Sequence, residues 1–177
     1  MIRSRIAPTP SGYLHIGNAV NFAITWVWTR AANGSLRLRI DDNDATRCRL
    51  EYLEDIFETL HWLGLDWDEG PNTPDEHQKH YSQKLRSEKY NALTEKLIET
   101  GKVFACSCSR KDIKAQKPCN CRMKGLPLTT PDVSLRIFTP EDCSVTIKDF
   151  HRGDIEINLH SVMRDFVIRR RDGIAAY

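Results

Sequence analysis

The stretch Ile6-Ala-Pro-Thr-Pro-Ser-Gly-Tyr-Leu-His-Ile-Gly-Asn18 sets two prolines, two glycines and a histidine directly before a helix-like run, Ala19 to Ala31. A helix start presents unpaired N–H groups and the positive end of the macrodipole. Gly12 and Gly17 carry no Cβ, so an anion could lie against the backbone there. Pro8 and Pro10 stiffen the approach. His15 and Asn18 add directional donors, and His15 could place a proton where negative charge builds on phosphorus. The chemistry implied is phosphate binding. A structural turn with a satisfied histidine is the other reading, and no Gly-Lys-Ser/Thr follows to make a P-loop.

A second constellation is sulfur. Four of the six cysteines, Cys106, Cys108, Cys119 and Cys121, form two C-x-C pairs. Four thiolates suit a closed tetrahedral Zn²⁺ site of structural type, with reduced surface cysteines as the alternative. Cys48 and Cys143 stand alone and read as ordinary buried thiols. Around the cluster lie Arg110, Lys111, Lys114, Lys117, Arg122 and Lys124, with Asp112 opposing. They are a candidate face for RNA phosphates or a solvated surface. Residues 1–100 carry 12 Lys/Arg and 15 Asp/Glu, net −3, and residues 101–177 carry 14 and 9, net +5. That imbalance is also compatible with ordinary solvation.

The elements that must position these residues follow from periodicity. Residues 2–6 read as a strand, His15–Ala32 as a helix closed by Asn33-Gly34, and Leu36–Ile40 as a second strand. Strand, turn, helix, strand opens a parallel βαβ unit. A helix is predicted from about Thr46 to Leu63, with Leu50, Leu53, Phe57 and Leu60 as its apolar stripe. Asp42 and Asp44 are expected to cap it. Another is predicted from Pro74 to Thr100, with Tyr90, Leu93 and Leu97 on one face. Beyond Gly101 come short β-like runs at Val103–Cys106, Val133–Phe138, Val145–Phe150 and Asp154–Leu159. Asp165–Arg169 and Ile174–Tyr177 flank a hairpin at Asp172-Gly173. With 177 residues, 40% of them hydrophobic, the chain can bury a core. It has no apolar run of membrane-span length and no secretory signal, so a cytoplasmic protein without a membrane partner is expected.

These motifs resemble a family. "RIAPTPSGYLHIGN" resembles the first signature of class I aminoacyl-tRNA synthetases in the glutamyl-tRNA synthetase version. "LRLRIDDNDATR", "HWLGLDWDEGP", "CSCSRKD" and "DFVIRRRDGIAAY" match that family in order. The nearest likeness is to its short paralogues, the glutamyl-queuosine tRNA(Asp) synthetases. The resemblance implies an α/β fold: the first half of a Rossmann-type (HUP-like) parallel sheet with helices, plus a small α+β zinc-binding insertion. Residues 1–100 would form the N-terminal half of the catalytic domain, 101–164 the zinc-bearing module on the tRNA acceptor side, and 165–177 strands returning to the catalytic domain.

It also implies an enzyme, a ligase that activates glutamate with ATP and Mg²⁺ and transfers it to a tRNA nucleoside, tRNA(Asp) favoured over tRNA(Glu). His15, Gly17 and Asn18 fall on the catalytic signature. Pro8, Ser11 and Gly12 join them at ATP, while Arg5, Ala7, Ser11, Asp41 and Tyr177 fall on the amino-acid pocket. Arg5 would pair with a substrate carboxylate through its planar fork. Asp41 stands where the family has Glu, one methylene shorter, so its charge would sit about 1.5 Å further back. Asn18 stands where the usual signature ends in histidine. The family's second signature, Lys-x-Ser-Lys, is not found; "KLRSEK" (Lys84–Lys89) falls in a predicted helix. The chain is therefore expected to be cut short before that signature, with a dimer or a missing C-terminal segment covering an exposed sheet edge. An N-terminal fragment of an ordinary glutamyl-tRNA synthetase and a non-catalytic RNA- or protein-binding remnant are the alternatives.

Overall fold

Arg3–Ile6 (β1) and Ser35–Leu38 (β2) pair in parallel, from Arg3↔Ser35 to Ile6↔Leu38, and Ile16–Ala31 (α1) makes the crossover between them. This is a computed structural model, and it describes residues 1–177 except Ala45, Arg110, Ile113, Lys114, Gln116, Lys117, Pro118 and Tyr177. The chain divides into two compact units, Met1–Arg86 and Ser87–Tyr177. The division thus precedes Gly101, where the composition changes.

In the first unit the βαβ expectation holds. The stop signal after α1 splits its work between two residues. Asn33 takes the left-handed conformation (φ 49°), and Gly34 lets the chain pass Ile2, whose carbonyl oxygen would lie 2.7 Å from an added Cβ. β2 gains a neighbour from the loop after the next helix: Asp68 N–H donates to the Leu36 carbonyl and Leu38 N–H to that of Glu69, both at 2.8 Å. Leu50–Trp62 (α2) buries Leu53, Ile56, Phe57 and Leu60 against Ile6, Leu36, Leu38, Ile40 and Phe22. Leu50, expected in that stripe, is exposed, and Ile56 takes the inner position.

α2 starts later than the predicted Thr46. Asp44 folds the preceding segment into a turn, its carbonyl accepting Arg47 and Cys48 N–H groups while its carboxylate accepts from the Thr46 hydroxyl and Arg47 Nε. The capping role expected for Asp42 and Asp44 is therefore corrected. The N-cap is Arg49, with no side-chain cap bond. Both acids turn to other donors.

The single helix predicted over 74–100 is also corrected. Pro74–Glu76 (α3) passes into a π-helical turn at His77–Tyr81, Ser82 leaves helical geometry (φ −51°, ψ 135°), and a 3₁₀ turn spans Gln83–Arg86. A regular helix resumes only at Ser87–Glu99 (α4). The cause is Asp42: its buried carboxylate collects the Ser82 hydroxyl (2.5 Å) and the Gln83 N–H (2.8 Å), bonds that an unbroken helix could not offer.

The second unit holds an antiparallel sheet ordered β3–β4–β7, from Val103–Cys106 (β3), Ser134–Ile137 (β4) and Phe166–Arg169 (β7). Ser144–Asp149 (β5) and Gly153–Asn158 (β6) form a separate ribbon. Cys121–Lys124 (α5) and Leu159–Met163 (α6) are short helices. On α4 the inward residues are Thr94, Leu97 and Ile98, whereas Leu93 is exposed, so the predicted face is rotated. β7 pairs with β4. The hairpin is present, with Gly173 at φ 82° and Arg170 N–H bonded to the Ile174 carbonyl. No helix among the described residues is long and apolar enough to cross a membrane.

Candidate functional site

The loops leaving β1 and β2 lie side by side. Arg39 N–H donates to the Ile6 carbonyl, Asp41 N–H to that of Pro8, both at 2.9 Å, and Arg49 N–H to that of Pro10 at 3.1 Å. Pro8 and Pro10 are buried, so the two prolines anchor the turn as well as stiffening it. Leu14 N–H donates to Asp55 on α2 (2.9 Å), and Tyr13 meets Tyr52 edge-on, ring centroids 4.9 Å apart. A pinned loop feeding a helix at the carboxyl ends of parallel strands is where open α/β sheets place ligands.

His15 is the N-cap of α1. Its Nδ1 accepts from Gly17 N–H at 3.1 Å, while the Asn18 side-chain oxygen accepts from His15 N–H at 3.1 Å. With Nδ1 used as acceptor, the neutral ring carries its proton on Nε2 and offers it outward from an exposed position. Gly17 has a different reason from the one its pattern suggests. An added Cβ would lie 2.9 Å from His15 Cε1, so the missing side chain makes room for the imidazole. At Gly12 an added Cβ meets no protein atom within 4 Å. Asn18 acts through its oxygen as an acceptor, closing the cap.

Ser11 follows Pro10 in the tight part of this turn, its N–H bonded to the Thr9 carbonyl at 2.8 Å, and Ala7 is half-buried at its start. Arg5 stands apart. It lines a hollow of about 450 Å³ with Arg3, Ser4, Ser35, Arg37 and Glu69, and His15 and Asp41 are not among those walls. Asp41 is buried, and both its oxygens are engaged, by Arg39 Nε (2.7 Å) and Nη2 (2.8 Å) and by the Gln83 side-chain amide (2.6 Å). Tyr177 lies outside the described residues, as do Arg110, Lys114 and Lys117 of the basic cluster. Lys111, Arg122 and Lys124 are exposed, and the Arg122 guanidinium lies over the Phe138 ring, 3.7 Å from its centroid.

Two features escaped sequence reasoning. Asp42 accepts from Ser82 and Gln83 and lies 3.1 Å from His77 Nε2, building a buried polar cluster. Burial alone would push its carboxyl up. The bonds from His77, Ser82 and Gln83 outweigh that and hold it below the usual carboxylate range. The signal was there, in the run of polar residues His77 to Gln83 within a supposedly amphipathic helix. The other is Arg171, which donates to the Ser107 and Cys108 carbonyls (2.7 and 2.9 Å) and pairs with Asp132. In sequence it is one of three consecutive arginines.

The four thiols converge as their spacing suggests. All four sulfurs lie within 4.8 Å of one another. Cys106–Cys119, Cys108–Cys119 and Cys108–Cys121 are separated by 3.7, 3.6 and 3.6 Å. A tetrahedron of thiolates 2.3 Å from a central ion has edges of about 3.8 Å, so this cluster has the size such an ion requires. Burial pushes the Cys108 thiol up to about 12. Burial acts the same way on Cys121, but the N–H and hydroxyl of Ser107, with the Cys108 and Cys119 thiols, bring it down to about 6. Four sulfurs at this spacing are donors that a cation would neutralise together.

A βαβ crossover with a histidine-capped helix at its strand ends, followed by a cysteine-bearing β unit, defines an α/β protein. Residues 1–125 match the family described as "tRNA synthetases class I (E and Q), catalytic domain", and the chain belongs to that family. A glutamate–tRNA ligase of Anaeromyxobacter sp. (strain Fw109-5) is 40% identical over 187 residues, covering 99% of this chain and 39% of that protein. That of Thermodesulfovibrio yellowstonii is 36% identical over 189 residues, covering 100% and 38%. The crystal structure of a glutamate tRNA ligase from Elizabethkingia meningosepticum CCUG26117, in complex with its amino acid, superposes with a TM-score of 0.74 at 25% identity, over 99% of this chain and 40% of that one. The chain spans about two fifths of the length of the curated relatives it matches.

Proposed function

We propose that the chain supplies the phosphate- and glutamate-handling part of an enzyme that activates glutamate with ATP and transfers it to a tRNA nucleoside. The observation that carries this reading is the His15–Gly17–Asn18 cap, which aims an imidazole N–H outward from the positive end of α1 in a chain of the class I synthetase family. A glutamate carboxylate oxygen would bond to the α-phosphorus of ATP as the bond to pyrophosphate breaks. His15 would donate a hydrogen bond to the charge building on the phosphoryl oxygens. Mg²⁺, when bound, would neutralise the leaving pyrophosphate. A nucleoside hydroxyl would then attack the acyl carbonyl, release AMP and lose its proton. Arg5 is proposed to hold a substrate carboxylate. Asp41 would meet the ammonium only by sharing its oxygens with Arg39 and Gln83.

Zn²⁺ is proposed at Cys106, Cys108, Cys119 and Cys121 in a structural role, because four thiolates leave no position open for chemistry. The acceptor proposed is the queuosine base of tRNA(Asp), on the likeness of the paired C-x-C module to the short paralogues. The second reading, a portion of an ordinary glutamyl-tRNA synthetase, is favoured by relatives named glutamate–tRNA ligase over 99% of the chain.

Glutamate-dependent ATP–pyrophosphate exchange tests the first step, and His15→Ala should lower it by roughly 10²- to 10³-fold. No exchange at high protein concentration would favour a binding remnant instead. Charging tRNA(Asp) against tRNA(Glu) separates the two acceptors.

A further inference from the structure

The cysteines of the cluster are not held alike. Cys106 ends β3, where it pairs with Ser134, and the Ser134 hydroxyl donates to the Cys106 carbonyl at 3.2 Å. Cys121 opens α5 and is buried. Cys108 lies past the end of β3, in neither strand nor helix.

What holds Cys108 is Arg171. One guanidinium nitrogen, Nη2, donates to the Ser107 carbonyl at 2.7 Å and to the Cys108 carbonyl at 2.9 Å. Those carbonyls belong to the two peptide planes on either side of the Cys108 Cα. Tying both planes to one group restrains the two soft dihedrals of Cys108, and with them the direction of its Cα–Cβ bond. The same clamp keeps Ser107 beside Cys121, its hydroxyl oxygen 3.7 Å from the sulfur.

Charge points the same way. Four thiolates around Zn²⁺ would leave about two negative charges on the site. Arg171 also pairs with Asp132 at 3.1 Å, but the Asp132 side chain is 79% exposed, so water screens that pair and much of the guanidinium charge stays uncancelled. Arg171 stands at a corner of the hairpin turn that the Gly173 N–H closes on the Arg170 carbonyl, 63 positions beyond Cys108. Its grip on the cysteine turn therefore depends on the hairpin being formed.

We propose that Arg171 is the positioning residue of the four-cysteine metal site, aiming Cys108 and making metal capture and hairpin formation mutually reinforcing. This rests on the zinc proposed above.

The test measures zinc affinity of the whole chain at neutral pH by competition with a chromophoric chelator, with cobalt(II) absorption reporting the thiolate geometry. Arg171→Ala should weaken zinc roughly 10- to 100-fold and change the cobalt spectrum. Arg171→Lys, which keeps the charge but not the fork, should recover part of the loss. Lys124→Ala, which removes an exposed charge close to Cys121 in sequence, should stay within about twofold of the wild type. Hydrogen exchange gives a second readout. Zinc should slow the Gly173 and Ala176 amides in the wild type, whereas in Arg171→Ala it should slow those of β3 and spare Gly173. Unchanged affinity in Arg171→Ala, an equal loss in Lys124→Ala, or equal slowing of Gly173 in both chains would each overturn the proposal. If Arg171→Ala fails to fold, Arg171→Lys decides: a loss of affinity supports the proposal and none overturns it. A wild-type chain that takes up no zinc would remove the zinc reading and this proposal together, while zinc held equally well without Arg171 would remove this proposal alone.

Discussion

Gly17 shows how one missing methyl group sets the orientation of another residue's ring. The imidazole of His15 rests 2.9 Å from where a Cβ would stand, too close for one to fit without a shift, and the cap bond to Gly17 N–H fixes which nitrogen of the neutral ring keeps the proton. Gly17→Ala should therefore displace the ring while leaving the core untouched. The expected outcome is a fall in glutamate-dependent exchange with a stability change within about 1 kcal/mol, read by urea unfolding. Asp42 gives a prediction in pH. Its carboxyl sits lower in the folded state than in the unfolded chain. Its stabilising contribution is thus complete above the unfolded value of about 3.9 and is lost as pH falls through the lower folded value. Urea midpoints from pH 7 to pH 3 should drop at the acid end, and Asp42→Asn should flatten that drop while lowering stability at neutral pH. The types of both residues were visible in the sequence. Their partners were not, because Asp42 finds His77 across a separation of 35 residues that no local pattern encodes.

Among the elements, those ruled by periodicity were legible: β1, α1, β2 and the body of α2 stand where apolar spacing puts them. The misreadings came where a long-range polar bond overrode local propensity, as Asp42 does in breaking the helix predicted from Pro74. The neighbour of β2 was also hidden, since a loop at Asp68–Glu69 supplies it. That loop depends on Gly70, whose φ is 123° and where an added Cβ would lie 2.2 Å from the Leu38 carbonyl oxygen. Gly70→Ala should cost about 3 kcal/mol or more, because both the conformation and the space are denied to an L side chain. Chemical denaturation measures this directly, and a cost under about 1 kcal/mol would show that the loop is not held as described.

At the scale of the molecule, each unit has its own core: Ile6, Leu36, Ile56 and Leu60 in one, Ala105, Val133, Leu135 and Ile168 in the other. The second also contains the four thiols, with Cys106 and Cys121 buried beside Phe104. If a metal ties them, chelation should lower the unfolding temperature of the second unit and spare the first, separable by calorimetry. Metal analysis should return one zinc per chain, and Cys108→Ser should reduce that ratio. Leu135→Ala, at a fully buried position in the same sheet, should destabilise that unit by about 2 to 5 kcal/mol without altering metal content.

The guanidinium of Arg171 reaches back to the carbonyls of Ser107 and Cys108, so the thiol-bearing turn is braced by a residue made long after it. During synthesis the cysteines emerge from the ribosome first and wait for their brace. In that interval they are open to oxidation and to mispairing with one another. Capture of a metal at that stage would protect them until Arg171 arrives.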